Sequence, residues 1–148
     1  MAVKIVTDSL SDITSDIAEK LGITIVPLTV FFGRESFLDR VTITTDEFYD
    51  RLTHDTIWPT TTQPPPKAFA DVYSKLADET DEILVVTLST KLSGTYQSAL
   101  NAKSLIKKKC RIEVIDSQTV AMGLGLIVIV AAKAAQVGAK LGELSDLV

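Results

Sequence analysis

Two clusters of hydroxyl side chains in this chain have the composition of an anion site: Leu92-Ser93-Gly94-Thr95 and Thr60-Thr61-Thr62. The first lies between an apolar run and a helical-looking segment. Amide groups at the start of a helix lack intrahelical partners and point outward, so hydroxyls and amides there favour a carboxylate or a phosphate. The second precedes Gln63-Pro64-Pro65-Pro66, a rigid stretch that would fix the direction of the hydroxyls at low entropic cost. Each cluster also has a plain structural reading. Ser and Thr are ordinary N-caps, Gly an ordinary turn residue and Pro an ordinary helix starter.

Other chemistry has less support. Asp8, Asp12 and Asp16 are spaced four apart, but Asp8 follows a strand and Asp16 falls in a helix. They lack the dense oxygen alternation and closing Glu of a Ca²⁺ loop, so capping and solvation account for them. His54, the only histidine, sits beside Asp55 near the end of a polar helix and is not placed for a Ser-His-Asp triad. Gly-x-Ser-x-Gly, a Walker loop and a Gly-x-Gly-x-x-Gly fingerprint are absent. Met122-Gly123-Leu124-Gly125 reads as a pair of small residues permitting close packing. The sequence therefore points to no catalytic residue, no metal and no cofactor. The competing reading is a small phosphate-ester or phosphotransfer enzyme, with Ser93 at the helix terminus and Asp8 as acid, base or metal ligand.

The elements that must hold these groups follow from periodicity. Val3–Thr7 reads as a buried strand, and Ile13, Ile17 and Leu21 place a short amphipathic helix before Gly22, where a left-handed cap belongs. Ile23–Phe32 is almost continuously apolar and reads as one strand buried on both faces, with Pro27 near an edge or bulge. A small β excursion follows over 34–42. Thr44 and Glu47 form a capping-box pattern at the start of a second helix. Thr60 to Pro66 reads as an ordered loop, ending in a helix that carries Phe69, Val72, Tyr73 and Leu76 on one face. Ile83–Leu88 and Ile112–Ile115 are further strands, with a helix over 96–107 between them. The Ala-rich stretch 122–137 reads as a helix packed deep in the domain and closed by Gly138.

This order implies an α/β fold, a mainly parallel sheet flanked by helices. Ligands on such sheets gather at the carboxyl ends of the strands, where all the hydroxyl-rich loops fall. Leu141, Leu144, Leu147 and Val148 begin an apolar helical face that the chain does not complete.

Composition agrees with one domain. The 148 residues are 46% hydrophobic, enough for a single core burying roughly two-thirds of the unfolded surface. A net charge of −4 gives no field for phosphate backbones or anionic membranes, and basic residues cluster only at Lys107-Lys108-Lys109, read as a solvated helix end. Nucleic acid is a poor partner for such a chain. The single cysteine, Cys110, fits a reducing cytoplasm. The apolar run from Val120 to Ala132 is shorter than the ~20 residues of a membrane span, so no integral membrane contact is expected.

Four segments in order resemble the DegV family of fatty-acid-binding proteins, over essentially the whole chain. They are Val6-Thr7-Asp8-Ser9-Leu10-Ser11-Asp12, Pro59-Thr60-Thr61-Thr62-Gln63-Pro64, the stretch Leu88 to Ala99 containing Leu92-Ser93-Gly94-Thr95, and Val114-Ile115-Asp116-Ser117 with Met122-Gly123-Leu124-Gly125. The resemblance implies the N-terminal lobe of a two-lobed protein, with the second lobe, which closes over the acid, absent from these 148 residues. It implies a long-chain fatty acid as ligand, its carboxylate bound by Thr61 and Ser93. Thr62, Gly94, Thr95 and Ser9 complete the expected binding set. Thr62 replaces the family's usual Ser, and Pro65 stands where a small residue is common.

The implied activity is that of a bacterial carrier, not an enzyme. It presents its fatty acid to a fatty acid kinase, which makes acyl-phosphate for phospholipid synthesis. The energetics permit such a scheme: at roughly 0.8 kcal/mol per buried methylene, a tail of about fourteen would contribute on the order of 11 kcal/mol before ordering costs.

Overall fold

The computed structural model describes residues 2–148. The first half of the chain forms β1 (Lys4–Asp8), a 3-10 turn (Ser9–Ser11), α1 (Ser15–Leu21), β2 (Ile23–Val26), β3 (Thr29–Phe32), β4 (Glu35–Leu38) and α2 (Thr45–His54). The second half forms β5 (Thr60–Thr62), α3 (Pro66–Leu76), β6 (Glu82–Thr87), α4 (Thr95–Ala102), a 3-10 turn (Lys103–Leu105), β7 (Arg111–Asp116), α5 (Met122–Gln136) and α6 (Leu141–Leu147).

Runs of β-branched residues build a four-stranded parallel sheet in the order β2-β1-β6-β7. Alternation along each strand sends successive side chains to opposite faces. Ile5, Leu84 and Val86 pack with Leu124 and Val128 of α5 and with Leu141 and Leu144 of α6. Val6, Ile83 and Val85 pack on the other side with Phe69 and Tyr73 of α3 and Ala99 of α4. The expected α/β architecture, a parallel sheet flanked by helices, is the one observed. Tyr73 ties α3 to α4 by donating its buried hydroxyl to Ala99 O at 3.1 Å, and burial pushes its phenol well above the ordinary range.

Local signals place the ends of several helices. Gly22 closes α1 at φ 66°, a conformation that costs glycine nothing. At the start of α2 the Thr44 hydroxyl accepts from Glu47 N at 3.2 Å while the Glu47 carboxylate accepts from Thr44 N at 2.7 Å. This is the expected capping box.

Other expectations need correction. Ile23–Phe32 is two strands, not one: β2 lies in the main sheet, while β3 pairs antiparallel with β4 and β5 in a second, three-stranded sheet. Pro27 has no amide to donate, and Leu28 gives its amide to the Ser9 hydroxyl at 3.1 Å, so no ladder crosses this point. Thr60–Thr62 is a short strand against β3 where a loop was expected. The helix expected over 96–107 ends at Ala102 and tightens into a 3-10 turn. The lysine triplet follows that turn, with Lys108 donating to Ser74 O and pairing with Asp78. α5 buries only one side. Met122, Leu126 and Val130 form an exposed apolar stripe at i, i+4 and i+8.

Candidate functional site

Neighbouring strands β1, β2 and β6 end together, and the chain just past each brings Leu10, Leu28 and Leu88 to one place. Asp8 holds this floor. Its carboxylate accepts from Leu10 N at 3.0 Å and from Leu88 N at 2.8 Å, and the residue is wholly buried. Loss of hydration pushes its carboxyl up to about 6, although the amide bonds favour the ionised form. The chemistry considered for Asp8 as an acid or metal ligand has to compete with these two structural bonds.

Above the floor is a cleft of about 280 Å³. Its polar lining is Thr61, Gln63, Ser93 and Gly94; besides the three leucines of the floor, Leu92 and Val120 supply the apolar lining. A neighbouring cleft of about 160 Å³ shares Leu10, Leu28 and Thr61 with it and extends to Val30, Phe48 and Tyr49 beside the Arg40–Asp12 ion pair. The two depressions therefore meet at Thr61.

Ser93 reaches the cleft from the β6–α4 connection. Its Oγ accepts from Thr95 N at 3.2 Å and lies 2.9 Å from Thr95 Oγ1. A serine hydroxyl has two acceptor sites and one proton. When Thr95 donates both its amide and its hydroxyl, Ser93 is left with only its own proton to offer, which suits a negatively charged partner.

The connection is anchored at its other end. Thr90 donates its hydroxyl to Asp116 at 2.6 Å and its amide at 3.2 Å, and Ser89 N donates to Thr119 O at 2.8 Å. Burial opposes ionisation of Asp116, but the bonds from Thr90 and Gln118 outweigh it and hold the carboxyl below its usual range. The β7–α5 turn that delivers Val120 is strained, with Ala121 at φ 58° and ψ −146°, a backbone region that side chains rarely occupy.

Thr61 comes from the second sheet, opposite Val30 in the β3–β5 ladder. Adjacent strand residues face opposite ways, so Thr62 points off the face that Thr61 presents, and it does not line the cleft. Among the expected binding residues, the structure thus brings Thr61, Ser93 and Gly94 together. Thr95 and Ser9 are buried behind them, one partnering Ser93 and the other accepting the Leu28 amide.

Gln63 and the apolar lining were outside the expected set. The signal for Gln63 was present in the rigid Gln-Pro-Pro-Pro segment, and Gly94 carries a second trace of it. A Cβ on Gly94 would stand 2.7 Å from Gln63 Nε2, so the amide fills the space that a side chain would need. His54 is remote from this chemistry, its exposed ring lying 3.1 Å from Asp50. Among the described residues no group of three or more His, Cys, Asp or Glu is arranged to hold a metal ion, and no helix is long and apolar enough to cross a membrane.

A family model described as "Uncharacterised protein, DegV family" matches residues 2–148. A DegV domain-containing protein of Clostridium perfringens is 42% identical over 151 residues, covering 100% of this chain and 53% of that protein. A DegV family protein from Thermus thermophilus, solved in a study of its fatty acid binding, superposes with a TM-score of 0.86 at 36% identity, over 99% of this chain and 53% of that one. A stearic acid-binding protein from Eubacterium ventriosum superposes with a TM-score of 0.90 at 34% identity, over 97% of this chain and 51% of that one. The chain spans about half the length of the relatives it matches. By sequence and by fold, it belongs to the DegV family.

Proposed function

We propose that this chain is the N-terminal lobe of a carrier for long-chain fatty acids. Thr61 and Ser93 bind the carboxylate, and the tail lies along the apolar floor. The observation that carries this reading is the shared cleft: the hydroxyl residue Thr61 of the second sheet and Ser93 of the β6–α4 connection line one cleft with Leu10, Leu28 and Leu88. The fatty acids bound by the Thermus and Eubacterium relatives support the ligand class.

Ligand cavities are commonly about 300–1,000 Å³. A cleft of about 280 Å³ is at the lower edge of that range, room for a head group and part of a tail. The remaining length found in the relatives would close over the rest, so this chain alone binds more weakly than a two-lobed relative. The carrier supplies no phosphoryl-transfer chemistry. It offers the bound carboxylate to a cytoplasmic fatty acid kinase, which forms the acyl-phosphate.

Native mass spectrometry and lipid extraction of the purified chain test the reading. Fatty acid is expected to travel with the wild-type chain and to be lost from Ser93→Ala and Thr61→Ala. Equal recovery from wild type and the double variant would overturn the head-group assignment. Metal-dependent hydrolysis of a phosphate ester, abolished by Asp8→Asn, would favour the enzyme reading instead.

A further inference from the structure

Gln63 is a polar side chain at the head-group end of the cleft whose amide the fold does not use. It is exposed and lines the same cleft as Thr61 and Ser93. Among the described residues its side chain makes no hydrogen bond, although a primary amide offers two donors and an acceptor. Its position is nevertheless defined on two sides. Pro64, which follows it, is buried, and its amide lies flat against Gly94, with Nε2, Cδ and Oε1 at 2.7, 3.1 and 3.3 Å from the point where a Cβ would stand.

The absence of a side chain at residue 94 is thus explained by space, not by backbone conformation. Gly94 has φ −79°, which any residue can adopt. A Cβ there would displace the Gln63 amide, the free end of an exposed side chain, from its place beside residue 94. A carboxylate has about four acceptor sites, more than the single protons of Thr61 and Ser93 can fill. An unused NH₂ group on the same rim supplies what is missing. Rotation of the amide exchanges Nε2 and Oε1, so the donor can turn to whichever side the anion occupies.

From this arrangement we propose that Gln63 is a third head-group residue, donating from its amide to the carboxylate, and that Gly94 is glycine in order to admit it. The inference rests on the fatty-acid reading and deepens it by naming a residue that distinguishes a carboxylate from a neutral head group. A neighbouring glutamate in the same place would repel the anion, whereas a leucine would keep the volume and lose only the donor.

The test compares binding of hexadecanoic acid and hexadecan-1-ol by wild type, Gln63→Leu, Gln63→Glu and Gly94→Ala. Hydrogen bonds to charged groups are the strong ones, so Gln63→Leu should weaken the acid by about tenfold and the alcohol much less. Gln63→Glu should weaken the acid further. Gly94→Ala, which pushes the amide aside, should reproduce the Gln63→Leu result with the fold intact by circular dichroism. Wild-type affinity and a wild-type acid-to-alcohol ratio in both Gln63 variants would overturn the assignment while leaving the fatty-acid reading in place. A wild-type chain that binds neither lipid would remove both.

Discussion

The Asp8 carboxylate accepts the backbone amide of Leu88 at 2.8 Å, joining the carboxyl ends of two neighbouring parallel strands directly beneath the cleft. Its second bond, to Leu10 N, fixes the other side of the same floor. One buried acidic side chain therefore positions two of the leucines on which a tail would lie.

The burial of Asp8, which outweighs the two amide bonds, makes stability depend on pH. Burial raises the folded-state carboxyl to about 6, above the ordinary 3.8, so between these values the native state holds a proton that the unfolded chain releases. The contribution is present in full at low pH and is lost as the pH rises through about 6. A shift of this size corresponds to about 3 kcal/mol. Urea unfolding of wild type and Asp8→Asn from pH 4 to 7.5 should show the advantage of wild type shrinking by an amount of that order. A difference independent of pH would contradict the account.

Thr95 is expected to matter through Ser93. Thr95→Val preserves shape and the amide but removes the hydroxyl 2.9 Å from Ser93 Oγ. Fatty acid affinity should fall about fivefold, as for loss of one neutral hydrogen bond of about 1 kcal/mol. The unfolding midpoint should change far less than in a core truncation. Calorimetric titration beside thermal melts separates the two effects.

Gly125 and Gly123 should respond differently to alanine. A Cβ on Gly125 would stand 2.3 Å from the backbone oxygen of Ser11, which cannot swing away, whereas one on Gly123 would meet the Thr119 hydroxyl, which can rotate. Alanine gains up to about 1 kcal/mol of helix propensity at either position. Overpacking against backbone costs about 1–3 kcal/mol. Denaturant titration should therefore find Gly125→Ala clearly less stable than wild type and Gly123→Ala close to it.

Much of the scaffold was legible because its signals are local. The Gly22 cap, the Thr44–Glu47 box and the β-branched runs of β1, β6 and β7 act within a few residues of where they appear. The break between β2 and β3 was not, since both halves are apolar and the deciding contact, Ser9 with Leu28, spans nineteen residues. β5 was hidden for a related reason: three threonines become a strand only by pairing with β3. α5 misled because it is apolar on every side, so nothing in its periodicity separates buried Leu124 and Val128 from exposed Leu126 and Val130.

The candidate cleft was legible in two of the hydroxyl residues that line it and not in its apolar lining. Thr61 and Ser93 stand in recognisable segments, but Leu10 in a 3-10 turn and Leu28 and Val120 in connections converge only through the parallel sheet. Thr62 looked equivalent to Thr61 until the strand fixed alternate faces.

A structure of this chain with a bound long-chain acid tests the central claim most directly. The account predicts carboxylate oxygens within about 3.2 Å of both Thr61 Oγ1 and Ser93 Oγ, with the tail passing over Leu10, Leu28 and Leu88. An acid bound with its carboxylate away from these two hydroxyls, or with its tail outside that floor, would contradict it.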